Sequence, residues 1–469
     1  VKVQASATGG DQAAAIAARL DRLPSSRYLW RLVLLLAAGA YFEIYDLLMT
    51  GYVSPGIIKA GIFSEHGMFG LSDQAAFASI TFAGLTVGAL VFGRIADSFG
   101  RRAVFTFALL WYAAATAIMA TQSSIAGIFL MRFLAGIGLG VEMITIDTFM
   151  AELVPRKFRG RAFAATHGLM FLSVPTVAFL SWALLDAAPL GLSGWRWVTA
   201  FPALGALVIW WIRRELPESP RWLAQHARFD EAAAIVGRIE ARIERETGKP
   251  LPPPEPVAPH APVVTGHGTF TDMFRPPYRR RTIMLCVFNF CQTIGFYGFG
   301  NWVPKLVSGQ GVDIRDSLLY ASLIALAYPV GPFLFMLFAD RFERKWQIVV
   351  AALGTAAFGL LFTLQREAWS IIMLGILINF SANLMSYSYH AYQAELFPTA
   401  IRSRAVGFTY AFSRLSTIFT SFLIAFFSRE FGNPGVFTFI ALSMVVAAGS
   451  IGLFGPRTNG RTLEDINRE

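Results

Sequence analysis

Glu152-Leu153-Val154-Pro155 runs into Arg159-Gly160-Arg161-Ala162, and Glu395-Leu396-Phe397-Pro398 runs into Arg402-Ser403-Arg404-Ala405. Positions 152 and 395 differ by 243, as do 159 and 402. Asp97 and Asp340 share the same offset, and each sits among basic residues: Arg94, Arg101 and Arg102 around the first, Arg341, Arg344 and Lys345 around the second. One offset for three separate landmarks means that the chain is written twice, each half carrying the same charged loops. In a chain as apolar as this one, such duplication is how a two-bundle membrane transporter is built.

Composition points the same way. Of 469 residues, 55% are hydrophobic and only 15% charged. The mean hydropathy is +0.51. A soluble chain of this size could not cover its surface with so little charge. Apolar runs fall at 29–52, 75–96, 103–121, 124–150, 161–185, 196–213, 282–306, 317–338, 347–365, 369–392, 405–428 and 435–455. Each is long enough to cross a hydrocarbon core of about 30 Å at about 1.5 Å per residue. Backbone polar groups must be satisfied within lipid, so these runs are expected to be helices. The expected fold is an all-α membrane protein, with twelve transmembrane helices in two pseudo-symmetric six-helix bundles. The expected divisions are a tail at 1–27, a first bundle at 28–213, a linker at 214–281, a second bundle at 282–455 and a tail at 456–469. The linker holds Pro252-Pro253-Pro254 and a charged, helix-like stretch at 230–246, and 252–268 reads as flexible. The first 27 residues lack an apolar core and a small-residue cleavage site, so no cleavable leader is expected. A short surface helix is expected at 13–23.

The net charge is +10, and its distribution decides what that means. Arg and Lys gather after the second, fourth, sixth, eighth and tenth spans and in both tails, while the alternate loops carry few, such as Lys59, Arg366 and Arg429. That is the positive-inside pattern, with both termini cytoplasmic. It argues against nucleic acid as a partner and for the lipid bilayer. The two cysteines, Cys286 and Cys291, are five apart in the seventh span and offer neither a disulfide framework nor a zinc spacing. No metal, cofactor or catalytic constellation is expected.

The loops resemble those of the major facilitator superfamily. Gly93-Arg94-Ile95-Ala96-Asp97-Ser98-Phe99-Gly100-Arg101-Arg102 is similar to its signature loop G-x-x-x-D-x-x-G-R-R between the second and third helices. Pro217-Glu218-Ser219-Pro220-Arg221-Trp222-Leu223 is similar to the P-E-S-P-R-W-L of sugar-porter-like members. The second signature loop departs, with Glu343 where glycine is usual. The resemblance implies a conformational latch at Gly93, Asp97, Gly100, Arg101, Arg102, Glu152, Arg159, Glu218, Arg221, Asp340, Arg344, Glu395 and Arg402. Charge-assisted contacts of this kind are expected to form in the outward-open state and break in the inward-open one. The alternative is that they only anchor topology.

Ionisable groups inside spans are functional by default. Glu43 and Asp46 are three apart on one face of the first span. Asp46 lies about 22 Å into its helix and Arg132 about 12 Å into the fourth, which starts from the opposite side. Both therefore reach similar depth, and Asp46 is the expected partner of Arg132. The small residues after Arg132 let helices pack closely beside it. Bundle rocking that changes this distance would change the proton affinity of the carboxylate. The alternative is a static buried pair. Sugar porters carry an Asp and an Arg at these places, and aromatic-acid:proton symporters carry D-G-F-D where this chain has Glu43-Ile44-Tyr45-Asp46.

Arg414 lies about 15 Å into the eleventh span, with nothing acidic beside it on that helix. Subtracting the offset gives Phe171, so the charge is no relic of duplication. A mid-membrane guanidinium suits a carboxylate with two parallel hydrogen bonds. The position resembles that of the arginine of organic-anion transporters. The alternative is an acid from another helix. Asn289, Gln292, Tyr297, Asn301, Asn379, Asn383, Tyr387, Tyr389, His390 and Gln393 are further candidates for the site between the halves; Glu142 and Asp147 on the fourth span face the cavity or pair with arginines, and His167 and His390 shuttle protons or are hydrogen-bonded structural residues. Phe290-Cys291-Gln292 keeps one glutamine where sugar porters carry two, which argues against a hexose.

The expected function is proton-coupled import of a small organic anion, an aromatic monocarboxylate with nicotinate as the specific case. The expected setting is a monomer in a bacterial inner membrane. Asp46, Glu43 and Arg132 would couple protons, and Arg414, Gln292, Tyr297, Asn289, Asn383, Tyr387 and His390 would bind substrate. The rivals are a neutral sugar or polyol symporter or drug exporter of the same fold, and a membrane receptor or channel that transports nothing by gradient.

Overall fold

The computed structural model describes residues 2–67, 70–254, 270–336 and 342–458. Its helices are α1 (Lys2–Asp21), α2 (Arg27–Lys59), α3 (Asp73–Phe99), α4 (Arg101–Thr121), α5 (Ile125–Leu153), α6 (Arg156–Phe171), α7 (Ser173–Leu184), α8 (Gly194–Ala200) and α9 (Gly205–Glu215) in the first half. Then come α10 (Pro220–Gln225) and α11 (Phe229–Thr247). The second half holds α12 (Tyr278–Gly300), α13 (Val303–Ser308), α14 (Ile314–Ala325), α15 (Ala327–Met336), α16 (Arg344–Phe362), α17 (Ala368–Glu395) and α18 (Thr399–Phe454). Among the described residues there is no strand.

Twelve spans follow from these helices. In the first half they are α2, α3, α4, α5, α6 with α7, and α8 with α9. In the second they are α12, α14 with α15, α16, α17 and the two limbs of α18, which turns at Gly432 (φ 63°) just before Pro434. Eight described stretches are apolar and long enough to cross a membrane unaided, one of them running over Arg404–Phe454 of α18 and another over Arg161–Leu184 across α6 and α7. Prolines stand near the breaks within spans. Pro175 follows the break between α6 and α7, Pro202 lies in the turn between α8 and α9, and Pro329 follows the break between α14 and α15. A proline removes an N–H and crowds the preceding turn, and neighbouring helices satisfy the freed groups in a bundle.

Two close pairs, α3 with α5 and α12 with α18, set the cores of the halves. The Arg132-Phe133-Leu134-Ala135-Gly136-Ile137-Gly138-Leu139-Gly140 run explains the first. A Cβ added at Gly140 would sit 2.1 Å from the carbonyl oxygen of Leu85 on α3. Backbone meets backbone there, which only glycine allows. The halves meet through α3 with α18 and α7 with α14.

At one end, α1 lies on the linker helices. Apolar residues of α11 recur at Ala232, Ile235, Val236, Ile239 and Ile243, and this stripe packs with Ile16 and Leu20 of α1. Charges fasten the rim: Arg19 (2.5 Å) and Arg22 (2.6 Å) pair with Glu240, and Arg221 pairs with Asp21 (2.8 Å). Glu246 accepts from the backbone N–H groups of Arg27 (2.5 Å) and Tyr28 (3.0 Å), so a linker carboxylate caps α2 together with Ser26. The expected short surface helix at 13–23 is thus longer and packed. Residues 255–269, most of the stretch read as flexible, lie outside the described residues.

At the other end the halves are bridged. Lys305 pairs with Glu65 (2.5 Å) and Arg315 with Asp186 (3.4 Å), while Arg429 donates to the Gly70 carbonyl (2.8 Å) and Gln74 to that of Asn301 (3.3 Å).

Candidate functional site

Arg132 is fully buried, and four of its five N–H donors are directed to named acceptors. Nη1 donates to Asp46 Oδ2 (2.9 Å), and Nη2 donates to the Asp46 carbonyl (2.6 Å) and to Thr50 Oγ1 (3.0 Å). Nε donates to Thr81 Oγ1 (2.7 Å), and the guanidinium lies over the Phe77 ring. Asp46 is equally buried, and its second oxygen, Oδ1, has no hydrogen-bond partner among the described residues. The pair is therefore one strong contact with a spare acceptor site. Thr50 and Thr81 were missed by sequence reasoning. Thr50 was findable, because it stands four residues from Asp46 on the same helix face.

Between the halves lies a cavity of about 170 Å³. An engineered protein cavity of about 150 Å³ holds a benzene ring, so this one has room for a single ring with a small substituent. Glu43 on α2 and His167 on α6 line it from the first half. Gln292 and Tyr297 on α12, Asn383, Tyr387 and His390 on α17, and Tyr410 on α18 line it from the second. Aromatic contacts cross the divide: Phe82 meets Tyr297 with centroids 4.8 Å apart, and His167 meets Tyr387 at 5.9 Å. His167 Nδ1 lies 2.9 Å from the Phe163 carbonyl, so Nδ1 carries the proton and Nε2 is left to the cavity. Gln393 donates to His390 Nδ1 (3.2 Å).

Asn289 stands one layer back from the cavity. It is buried, and its Oδ1 lies 2.7 Å from the Tyr389 hydroxyl, which is also 2.5 Å from Gln393 Oε1. It ties α12 to α17 through Tyr389, and neither residue lines the cavity.

Arg414 is half-buried beside the cavity. Its Nη2 donates to the Tyr410 hydroxyl (3.3 Å), its guanidinium lies 5.0 Å from the centre of that ring, and Tyr297 is a further hydrogen-bonding neighbour. Glu43 of the first half is within its electrostatic reach. Tyr410 was missed by sequence reasoning. Its signal was its spacing: four residues before Arg414, on the same face.

The loop residues cluster at the end that carries α1, α10 and α11. Gly100 joins α3 to α4 at φ +91°, a conformation that costs a residue with a Cβ. Glu218 accepts from the N–H groups of Arg101 (2.9 Å) and Arg102 (3.2 Å), capping α4. Arg101 pairs with Glu152 (3.3 Å), and Arg344, at the same 243-residue offset, pairs with Glu395. Arg159 Nη2 donates to the Val154 carbonyl (3.3 Å), and Arg221 pairs with Asp21. Both repeated pairs are intact within their own halves while the opposite end is bridged. Asp340 and Arg341 lie outside the described residues, as do the side chains of residues 91–98, Asp147 and Arg402.

Comparison with known proteins places this geometry. The family described as "Sugar (and other) transporter" matches residues 32–469. The relative YyaJ of Bacillus subtilis (strain 168) is 32% identical over 447 residues, covering 95% of this chain and 96% of its own. The inner membrane metabolite transport protein YdjE of Escherichia coli (strain K12) is 28% identical, covering 96% and 98%. The niacin transporter NiaP of Acinetobacter baylyi is 26% identical, covering 96% and 99%. Among solved structures, the xylose transporter XylE from E. coli, in a partially occluded inward-open conformation, superposes with a TM-score of 0.73 at 19% identity, over 93% of this chain and all of that one. The chain belongs to the sugar (and other) transporter family of the major facilitator superfamily, a multi-pass membrane transporter of twelve helices in two six-helix bundles.

Proposed function

We propose that this carrier imports a small organic anion together with protons, by alternating access, as a monomer with both termini in the bacterial cytoplasm. The substrate class is an aromatic monocarboxylate, and nicotinate is the specific candidate. Arg414 is the observation that carries the reading: a guanidinium beside a cavity of single-ring size walled by aromatic side chains. Its fork suits a carboxylate, and Tyr297, Tyr387 and Tyr410 suit the ring. Gln292, Asn383 and His390 add directional polar contacts, and Asn289 steadies the wall behind them. Asp46, held by Arg132 and near Glu43, takes the coupled proton. Similarity to a niacin transporter over nearly the full length supports the substrate class. The basic loops support the orientation, and residues 214–281 serve as the cytoplasmic linker.

One observation favours a second reading. Glu43 lies within electrostatic reach of Arg414, so the protein itself supplies negative charge to that guanidinium, and the cavity would then take a neutral polyol or sugar. Uptake into proteoliposomes separates the two. With the outside made acid, labelled nicotinate is expected to accumulate and to be displaced by benzoate but not by nicotinamide or xylose. Accumulation of xylose, with no competition by benzoate, would contradict the anion reading.

A further inference from the structure

Glu142 stands ten residues after Arg132 on α5 and is fully buried. Neither carboxyl oxygen has a hydrogen-bond partner among the described residues. Among the described residues, the titratable groups that face it come from α2 and α4. From α2 it faces Glu43 and Asp46, and from α4 it faces Tyr112, whose buried hydroxyl also lacks a partner among the described residues. Arg132, on α5 itself, is committed to Asp46, Thr50 and Thr81. The chain makes room for this carboxyl: a Cβ at Gly39 would sit 3.1 Å from Glu142 Oε1 and 2.5 Å from the Phe105 ring. Gly39 is one turn from Glu43, and Ile146, one turn from Glu142, lines the central cavity with Ala40 and Glu43. The carboxyl therefore lies just behind the cavity wall.

Among the described residues, three acids share this interior with two guanidiniums. Asp46 is matched by Arg132, and Glu43 has Arg414 within reach. Glu142 is the acid left over. An ionised carboxylate buried without a partner is strongly disfavoured, so a group in this position holds a proton until its surroundings change.

We propose that Glu142 is a second proton-carrying carboxyl of this transporter, loaded from the cavity through the Glu43 side and emptied when the halves rock. The inference rests on the proton-coupled reading above and adds a site to it. An O–H bond forms on a Glu142 oxygen as one breaks on a hydronium in the cavity. On opening to the other side, that proton passes to water and the carboxylate is left ionised.

Two readouts test it on the full-length protein in lipid. Infrared spectra at neutral pH are expected to show the C=O stretch of a protonated carboxyl that disappears in Glu142→Gln and survives in Asp46→Asn. Nicotinate uptake gives the second. Both Glu142→Gln and Glu142→Leu are expected to keep exchange of labelled for unlabelled nicotinate. Across an imposed gradient of about one pH unit, loss of one coupled proton lowers the accumulation ratio about tenfold. An infrared band unchanged in Glu142→Gln overturns the proposal. So does a band that vanishes while accumulation and charge moved per nicotinate stay at wild-type values, because Glu142 is then a static neutral group. A wild type with no gradient-driven uptake overturns the coupling reading itself, and that failure is visible before any variant is made.

Discussion

At the scale of single residues, the centre of the first half is a charge held by four hydrogen bonds. Removing Arg132 strands the fully buried Asp46 carboxylate without the guanidinium that pairs with it. Truncating one partner of such a pair costs about 3–5 kcal/mol, whereas Asp46→Asn removes the charge and leaves a polar group for Arg132 to meet. Thermal unfolding in detergent is therefore expected to drop much further for Arg132→Ala than for Asp46→Asn, with accumulation against a proton gradient lost in both. Equal unfolding temperatures would show that leaving the Arg132 charge uncompensated costs as much as leaving that of Asp46. The partnership was legible in the sequence, because depth along two opposed helices could be counted from 46 and 132. Thr81 was not: a threonine on a third helix carries no mark of the arginine it holds, and only the packing of α3 on α5 brings them together.

At the scale of elements, two arrangements decide where those residues stand. The first is the backbone contact of α3 with α5. Gly140→Leu would drive a side chain into the Leu85 carbonyl, and overpacking of this kind costs about 1–3 kcal/mol or more. Loss of monodisperse protein on size exclusion is the expected result, and a stable, fully active Gly140→Leu would refute the close contact. The second is the docking of α1 on α11. Burial pushes the Glu240 carboxyl up, but the hydrogen bonds from Arg19 and Arg22 outweigh it and hold the group below its ordinary value of 4.5. A lowered folded-state pKa means that this contribution is present above about pH 4.5 and lost as pH falls through the lowered value. A nitroxide at Ala15→Cys, with Cys286 and Cys291 replaced, is expected to be immobile at neutral pH and to loosen in strong acid, and Glu240→Gln is expected to loosen it at neutral pH. Mobility that ignores both would show that the rim charges do not hold α1. The charged helix expected at 230–246, observed as α11, was readable from periodicity and charge. The extent of α1 was not, because only its apolar face identifies it, and that face finds its partner more than two hundred residues away.

At the scale of the whole molecule, the bridged end and the central cavity describe one state of a rocking carrier. In the proposed orientation, with both termini cytoplasmic, the bridged end faces outward. Lys305–Glu65 and Arg315–Asp186 then act as an outer gate. Exposed pairs contribute little individually, so Glu65→Gln with Asp186→Asn is expected to shift the open–closed balance by a few-fold only, read as a change in the distance distribution between spin labels across that end. A complete switch of state would mean that the gate depends on these charges far more than exposed pairs allow. Duplication showed that there are two bundles, but no sequence feature shows which end is shut, since that depends on contacts between halves. The proposed anion site turns on Arg414, and ligand-induced thermal stabilisation of purified wild type and Arg414→Ala tests it. Bound ligand raises apparent stability by mass action. Nicotinate is expected to stabilise the wild type, to lose that effect in Arg414→Ala, and to outdo nicotinamide, which keeps the ring and lacks the charge. Equal stabilisation by acid and amide, unchanged in Arg414→Ala, would contradict the account.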